Sequence, residues 1–136
     1  MLLDALDRGY RRMIIGIGGS ATNDCGIGML LALGCRFFDD AGQEVAGYGR
    51  DVGRIARIDA SGLDPRLAGC EIQVACDVNN PLCGPNGASA VFGPQKGATP
   101  EIVRQMDTGA LRFSQVVKEA MSIDAADAAG AGAAGG

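Results

Sequence analysis

A short apolar stretch that ends in a run of glycines constrains the fold of this chain more than any other feature. Residues 13–17 are mostly apolar and predict a strand buried on both faces, as in a parallel sheet. Glycines interrupt this stretch, small polar residues follow, and residues 26–33 then have the pattern of a helix. A strand that leads through a glycine-rich turn into a helix often presents backbone N–H groups to an anion. The sequence therefore predicts an α/β fold with a phosphate or carboxylate site in residues 18–24.

The rest of the chain has the pattern of short strands and helices in alternation. Apolar residues at helical spacing predict a helix over 2–12 with Gly9 as a stop. Thr99 and Pro100 predict the start of a long amphipathic helix that runs to Met121. The other predicted elements are strands at 35–38, 57–59 and 71–78, a weak helix at 50–56 and a brief helix at 88–92.

Both ends of the chain are unusual for a complete domain. A length of 136 residues fits one domain. The first helix begins without a capping residue, and the last residues form a bare glycine-rich run. Residues 122–136 are mostly Ala, Gly and Asp, a composition compatible with disorder. We therefore expect residues 1–136 to be a single partial α/β unit, truncated at both ends.

Composition and charge argue against several classes of function. The net charge is −4 and the basic residues are scattered, which argues against nucleic acid as a partner. The sequence has no run of 18 apolar residues that would span a membrane. Five cysteines without a C-x-x-C pair predict neither a disulfide framework nor a zinc ribbon, and favour a cytoplasmic setting. Histidine is absent, so catalysis would depend on carboxylates, Lys, backbone dipoles and metal-bound oxygen.

The glycine-rich turn is the first candidate site. Its candidate ligand-binding residues are Gly18, Gly19, Ser20, Thr22, Asn23 and Asp24. Gly16, Gly18 and Ala21 also fit the relaxed dinucleotide pattern G-x-G-x-x-[GA], with Asp39 and Asp40 where the ribose-binding acid is expected. The polar residues lengthen the turn beyond the usual tight form of that pattern. A plain strand–helix turn, with Asn23 or Asp24 only as the helix cap, is an equally good interpretation.

Two further groups of residues could take part in chemistry. Asp77, Asn79 and Asn80 follow a predicted strand, at the edge of the sheet where α/β folds bind ligands, and could hold Mg²⁺ or a substrate hydroxyl. A turn stabilised by these side chains before Pro81 is the structural alternative. Lys96 lies in a glycine-flanked loop just before a predicted helix, and a solvated surface lysine is its alternative role.

Five blocks of sequence, in order, resemble the bacterial glycerate kinases of the type I family. The blocks are IGIGGSATND at 15–24, IDASGLDPRL at 58–67, VACDVNNPL at 74–82, GASAVFGPQKGAT at 87–99 and GAGAAGG at 130–136. The resemblance implies ATP-dependent phosphorylation of D-glycerate to 2-phosphoglycerate or 3-phosphoglycerate, with Mg²⁺. It also implies a two-domain, three-layer α/β/α fold with a largely parallel sheet, of which this chain would be an internal part.

Phosphoryl transfer would give the candidate residues roles that the sequence does not separate from one another. The 18–24 turn would bind the glycerate carboxylate or a nucleotide phosphate, through N–H groups, Ser20 and Thr22. Asp24 and Asp77 would hold Mg²⁺ or accept the hydroxyl proton, and Lys96 would neutralise phosphate charge. The alternatives are a nicotinamide-dependent dinucleotide-binding domain and a catalytically incomplete fragment with only a ligand-binding or structural role.

Overall fold

The computed structural model describes residues 1–124 and 126–136, which form two short sheets and four α-helices. In chain order the elements are α1 (Leu2–Asp7), β1 (Arg12–Gly16), α2 (Ile27–Ala32), β2 (Arg36–Phe38), β3 (Arg57–Asp59), β4 (Glu71–Ala75), α3 (Ala88–Phe92) and α4 (Pro100–Met121). Short 3₁₀ helices lie at Gly49–Arg54, Pro65–Gly69, Pro94–Lys96 and Ala133–Gly135. None of the helices in these described ranges is long and apolar enough to cross a membrane.

A parallel pair of strands forms the first sheet. β1 pairs with β4 from Arg12 opposite Glu71 to Gly16 opposite Ala75. Parallel neighbours need a long crossover connection, and here the connection runs through α2 and the second sheet. Parallel pairing together with helices confirms the predicted α/β class. The two-domain, three-layer arrangement stays a prediction.

The prediction that the first strand is covered on both faces is wrong in this structure. Ile14 in β1 is 76% exposed and Val74 in β4 is 56% exposed. The reason is that the helices of the chain pack elsewhere. The apolar core is built from α2, β2, α4 and the 3₁₀ helix Gly49–Arg54, and no residue of β1 or β4 belongs to it.

The core lies around the antiparallel pair β2–β3. Phe37 in β2 is fully buried and meets Phe113 of α4 edge to face, with ring centroids 6.0 Å apart. The other buried members of this cluster are Ile27, Cys35, Val45, Val52 and Ile55. Because four separate elements contribute to it, this cluster holds the loops between those elements in place.

Among the predicted elements, the long helix has boundaries that agree best with those in the structure. Helix α4 begins at Pro100, and Thr99 Oγ1 accepts a hydrogen bond from Ile102 N at 3.3 Å. Both observations confirm the predicted start of this helix. The first helix is shorter than predicted, since α1 ends at Asp7 and Gly9 follows with φ +86°. β4 ends at Ala75 rather than at residue 78, and the weak helix at 50–56 is a 3₁₀ helix over Gly49–Arg54.

The end of the chain lies against the loop that follows β4. Gly132 N donates a hydrogen bond to Asn80 O at 2.9 Å. A Cβ on Gly132 would lie 2.1 Å from Pro81 O, so only glycine fits this close approach. The extent of the folded unit, and disorder of 122–136 in solution, stay predictions.

Truncation of Phe37 should destabilise the fold strongly. Phe37→Ala removes a fully buried ring from the centre of the core and should cost about 3–5 kcal/mol of unfolding free energy in urea denaturation. Ile14→Ala is the control, because its exposed side chain should contribute less than about 0.5 kcal/mol. Equal losses in the two variants would contradict the placement of the core around β2 and α4.

Candidate functional site

The two loops that hold most of the candidate residues leave the sheet side by side. β1 ends at Gly16 and β4 ends at Ala75, and these two residues are opposite each other in the parallel register. The segments that follow, 17–26 and 76–87, therefore start at the same carboxyl edge of the sheet. Ligands of open α/β sheets bind at this edge.

Asp24 fixes the start of α2. Its Oδ1 accepts a hydrogen bond from Gly26 N at 3.2 Å and its Oδ2 accepts one from Gly28 N at 3.3 Å. A Cβ on Gly28 would lie 3.0 Å from Asp24 Oδ2, so the carboxylate occupies the space beside this glycine. Asp24 thus has the structural role that the sequence left open, and its role as a metal ligand stays a prediction.

Asn23 ties the turn to the interior of the molecule. Its Nδ2 donates a hydrogen bond to Ser89 Oγ at 3.1 Å, and Ser89 in α3 is 1% exposed. The first 3₁₀ helix packs closely on the same residue, since a Cβ on its first residue, Gly49, would lie 2.2 Å from Asn23 O. The turn is therefore held from two sides by segments distant in sequence.

Lys96 joins three separate segments at one ammonium group. Its Nζ donates hydrogen bonds to Ser20 Oγ at 2.8 Å, to Thr22 O and to Ala134 O at 3.3 Å. Ser20 Oγ in turn donates to Ala134 O at 2.5 Å. An ammonium has three N–H donors, and all three serve protein acceptors here. Lys96 fixes the turn against the C-terminal segment, and its predicted contact with phosphate stays a prediction.

Two cavities surround these side chains, and Lys96 lines both. The first, here the Asp77 cavity, has a volume of about 250 Å³. Its lining includes the candidate residues Gly18, Gly19, Ser20, Asp77 and Lys96. The second, here the Arg50 cavity, has a volume of about 390 Å³, and its lining includes Thr22, Asn23, Asp24, Arg50 and Lys96. The structure thus brings eight of the nine candidate residues to two adjoining cavities, while the exposed Asn79 lines neither.

Two segments at the site were not singled out as ligand-binding from the sequence. Tyr48 and Arg50 belong to the loop and 3₁₀ helix beside the turn. Ala133 and Ala134 of the C-terminal segment line the Asp77 cavity. The glycines that flank Tyr48, and the repeated Gly-Ala pattern at 130–136, are the signals that could have indicated close backbone approach.

Lys96 is a partly buried cation at the site, and no preformed metal centre accompanies it among the described residues. Burial lowers the pKa of Lys96 from its usual value, and the nearby carboxylate of Asp24 partly opposes this shift. Among the described residues no group of three or more Asp, Glu, Cys or His side chains could hold a metal ion. A metal at this site would therefore need ligand oxygens from a bound phosphate or from water.

The structure argues against a dinucleotide-binding turn. The glycine pattern begins at Gly16, but α2 begins only at Ile27, so the glycines do not lead directly into a helix. Asp39, at the position expected for the ribose acid, accepts hydrogen bonds from Ala41 N and Gln43 N and pairs with Arg54. It closes the turn after β2.

Loss of the Lys96 ammonium should loosen both segments that it joins. Lys96→Met removes three hydrogen bonds from a charged donor, each worth roughly 1.5–3 kcal/mol. Amide hydrogen exchange in 18–22 and 131–135 should become faster by about tenfold or more. Lys118→Met, which removes only an exposed ion pair with Asp124, is the matched control and should leave this exchange unchanged. Equal exchange in both variants would refute the joining role.

The thiol of Cys25 should be unreactive although it follows the turn directly. Burial raises its pKa to about 12, with smaller contributions from Cys83 and Asp24, so little thiolate exists at neutral pH. Iodoacetamide at pH 8 should label the exposed Cys76 and leave Cys25 unmodified in mass spectrometry of the folded protein. Labelling of Cys25 at the rate of Cys76 would show that the turn is more open than described.

Comparison with known proteins identifies the family of this chain. The model of the glycerate kinase family matches residues 1–136. The chain is 51% identical to glycerate 2-kinase of Escherichia coli K12 over 136 residues, which is all of this chain and 36% of that protein. It is 52% identical over 132 residues to glycerate kinase of Bacillus subtilis 168, covering 97% of this chain and 35% of the relative.

A solved structure extends the likeness to the fold. A crystal structure described as glycerate kinase 2 from Salmonella typhimurium LT2 superposes with a TM-score of 0.96 at 54% identity. The match covers 99% of this chain and 36% of that one. The chain spans about a third of the length of the curated relatives it matches. On these grounds the chain belongs to the glycerate kinase family.

Proposed function

We propose that this chain is part of a kinase that transfers the γ-phosphoryl group of ATP to D-glycerate. The observation that carries the proposal is the Asp77 cavity, where the backbone of Gly18 and Gly19, the Ser20 hydroxyl, Asp77 and Lys96 come together at the edge of a parallel sheet. Phosphoryl transfer depends mainly on positioning and on neutralising charge, and it needs no histidine. Membership of the family supports the substrate pair.

Asp77 is the residue that we propose to act on the acceptor hydroxyl. Among the described residues none donates a hydrogen bond to its carboxylate, which leaves the group free to accept a proton. The hydroxyl oxygen of glycerate then bonds to the γ-phosphorus as the bond to the β–γ bridging oxygen breaks, and ADP leaves. A cavity of about 250 Å³ suits an acceptor as small as glycerate.

Asp24 is the carboxylate that would hold Mg²⁺, and Asp77 would be a ligand only in place of its role as proton acceptor. Two backbone N–H groups use part of the accepting capacity of Asp24, and each of its oxygens keeps a lone pair. When bound with ATP, Mg²⁺ neutralises charge on the phosphates. Gly18, Gly19, Ser20, Thr22 and Asn23 would bind the anion, and Asn79, which lines neither cavity, is a further candidate.

The proposal also covers which hydroxyl of glycerate is phosphorylated and which kinds of ligand the protein binds. The relative from E. coli is named a glycerate 2-kinase, and we propose 2-phosphoglycerate as the product here too. A net charge of −4 with scattered basic residues supports small-molecule ligands rather than nucleic acid or a membrane surface. A cytoplasmic location accords with this chemistry, since ATP is the donor.

Substitution of Asp77 tests the chemistry. In the full-length enzyme, Asp77→Asn keeps the size of the side chain and removes its basicity, so kcat should fall by roughly 10²–10⁴. A coupled assay for ADP release measures the rate, and circular dichroism checks that the fold is unchanged.

Asp4→Asn provides the matched control. Asp4 lies on α1 in an exposed pair with Arg8, and its loss should leave kcat unchanged. Wild-type turnover in Asp77→Asn would remove this carboxylate from the mechanism. Absence of glycerate-dependent ADP release in the unmodified enzyme would overturn the proposed function itself.

A further inference from the structure

A third and larger cavity adjoins the Asp77 cavity. Its volume is about 840 Å³, and glycine and alanine residues of the 16–28 and 130–136 segments form most of its wall. We call it the glycine-walled cavity. Its large apolar residues are Ile17, Met29 and Tyr48, and of these Met29 and Tyr48 are 50% and 59% exposed while Ile17 is partly buried. Two half-exposed apolar groups on one concave surface form a contact area for a flat apolar ligand.

Close backbone contact brings these two side chains to the same cavity. A Cβ on Gly47 would lie 3.1 Å from Gly28 Cα, and a Cβ on Gly28 would lie 3.3 Å from Gly47 O. The first turn of α2 therefore packs closely on the loop, and the side chains of Leu31 and Asp24 also approach these two glycines. Met29 and Tyr48 each follow one of these glycines in sequence, so both belong to the wall formed at this contact.

The ring of Tyr48 lies between two cavities. The guanidinium of Arg50 stacks on it, with Cζ 4.9 Å from the ring centroid. Arg50 lines the Arg50 cavity and does not line the glycine-walled cavity, whereas Tyr48 lines both. Tyr48 thus belongs to both cavities, and Arg50 packs on its ring.

The two cavities meet where transfer would take place. Gly18, Ser20 and Ala134 line both the glycine-walled cavity and the Asp77 cavity. A two-substrate transfer needs one large and one small site that join at the reacting atoms. The volumes of about 840 and 250 Å³ match a nucleotide and a three-carbon acid in this order.

We propose that the glycine-walled cavity binds the nucleotide, with its base against Tyr48 and Met29. The triphosphate then runs along the glycine-rich turn toward Ser20, and its terminal phosphate enters the Asp77 cavity. This inference rests on the proposed function for the identity of the acceptor, and it adds the residues that recognise the donor. Base–aromatic stacking depends on the ring and not on its hydroxyl.

Steady-state kinetics of the full-length enzyme test the inference. Tyr48→Ala should raise KM for ATP by about tenfold and change KM for glycerate by less than about twofold, as expected for the loss of one stacking contact. Tyr48→Phe should restore the wild-type KM for ATP, because the ring is kept. Tyr10→Ala is the matched control, since Tyr10 is 60% exposed and lines none of the three cavities.

A second variant and a binding measurement separate the possible failures. If Tyr48→Ala does not fold, Met29→Ala should still raise KM for ATP. Equilibrium dialysis with ATP alone should show the same loss of affinity without turnover. An unchanged KM for ATP in both variants, or a rise only in KM for glycerate, would overturn the inference. If the wild type binds ATP through Tyr48 but does not phosphorylate glycerate, the proposed function fails and the nucleotide site stands.

Discussion

The parallel pairing of β1 with β4 is the constraint on which the arrangement of the site depends. Gly16 and Ala75 are opposite each other at the ends of these strands, so the segments that follow them start at one edge. Residues more than fifty positions apart in the sequence, the glycine-rich turn and Asp77, thereby reach the same cavity. A slip of the register by one residue would turn every side chain of one strand to the opposite face and displace the loop that follows.

Contacts with distant segments hold the glycine-rich turn after it leaves the sheet. The charged ammonium group of Lys96 donates hydrogen bonds to oxygens of Ser20, Thr22 and Ala134. The uncharged side chain of Asn23 donates a hydrogen bond to Ser89 Oγ in the interior. These contacts hold the turn in place beside the glycine-walled cavity, whose lining is mostly glycine and alanine. A wall of small residues leaves space for ligands and brings backbone groups close to them.

Local signals in the sequence were sufficient for most of the elements. The cap at Thr99, the proline after it and the amphipathic pattern set the start and length of α4, because a cap acts within one turn. Gly9 ends α1 earlier than the apolar spacing alone predicts, since its left-handed backbone stops the helix. Coverage of β1 was predicted wrongly, because an apolar strand shows only a tendency to be buried and not which segment covers it. The packing of α2 and α4 on β2 instead leaves Ile14 exposed.

The sequence by itself determined the α/β class, the family and eight of the candidate residues that meet at the site, because short motifs of glycine and polar residues encode local backbone geometry. Only the tertiary structure decided which roles those residues already have. Asp24 accepts hydrogen bonds from Gly26 and Gly28, which are close to it in the chain, whereas Lys96 binds three protein oxygens that only the fold brings within its reach. The tertiary structure also places Tyr48 beside the turn. This position follows from the contact of Gly28 with Gly47, which no local sequence pattern predicts.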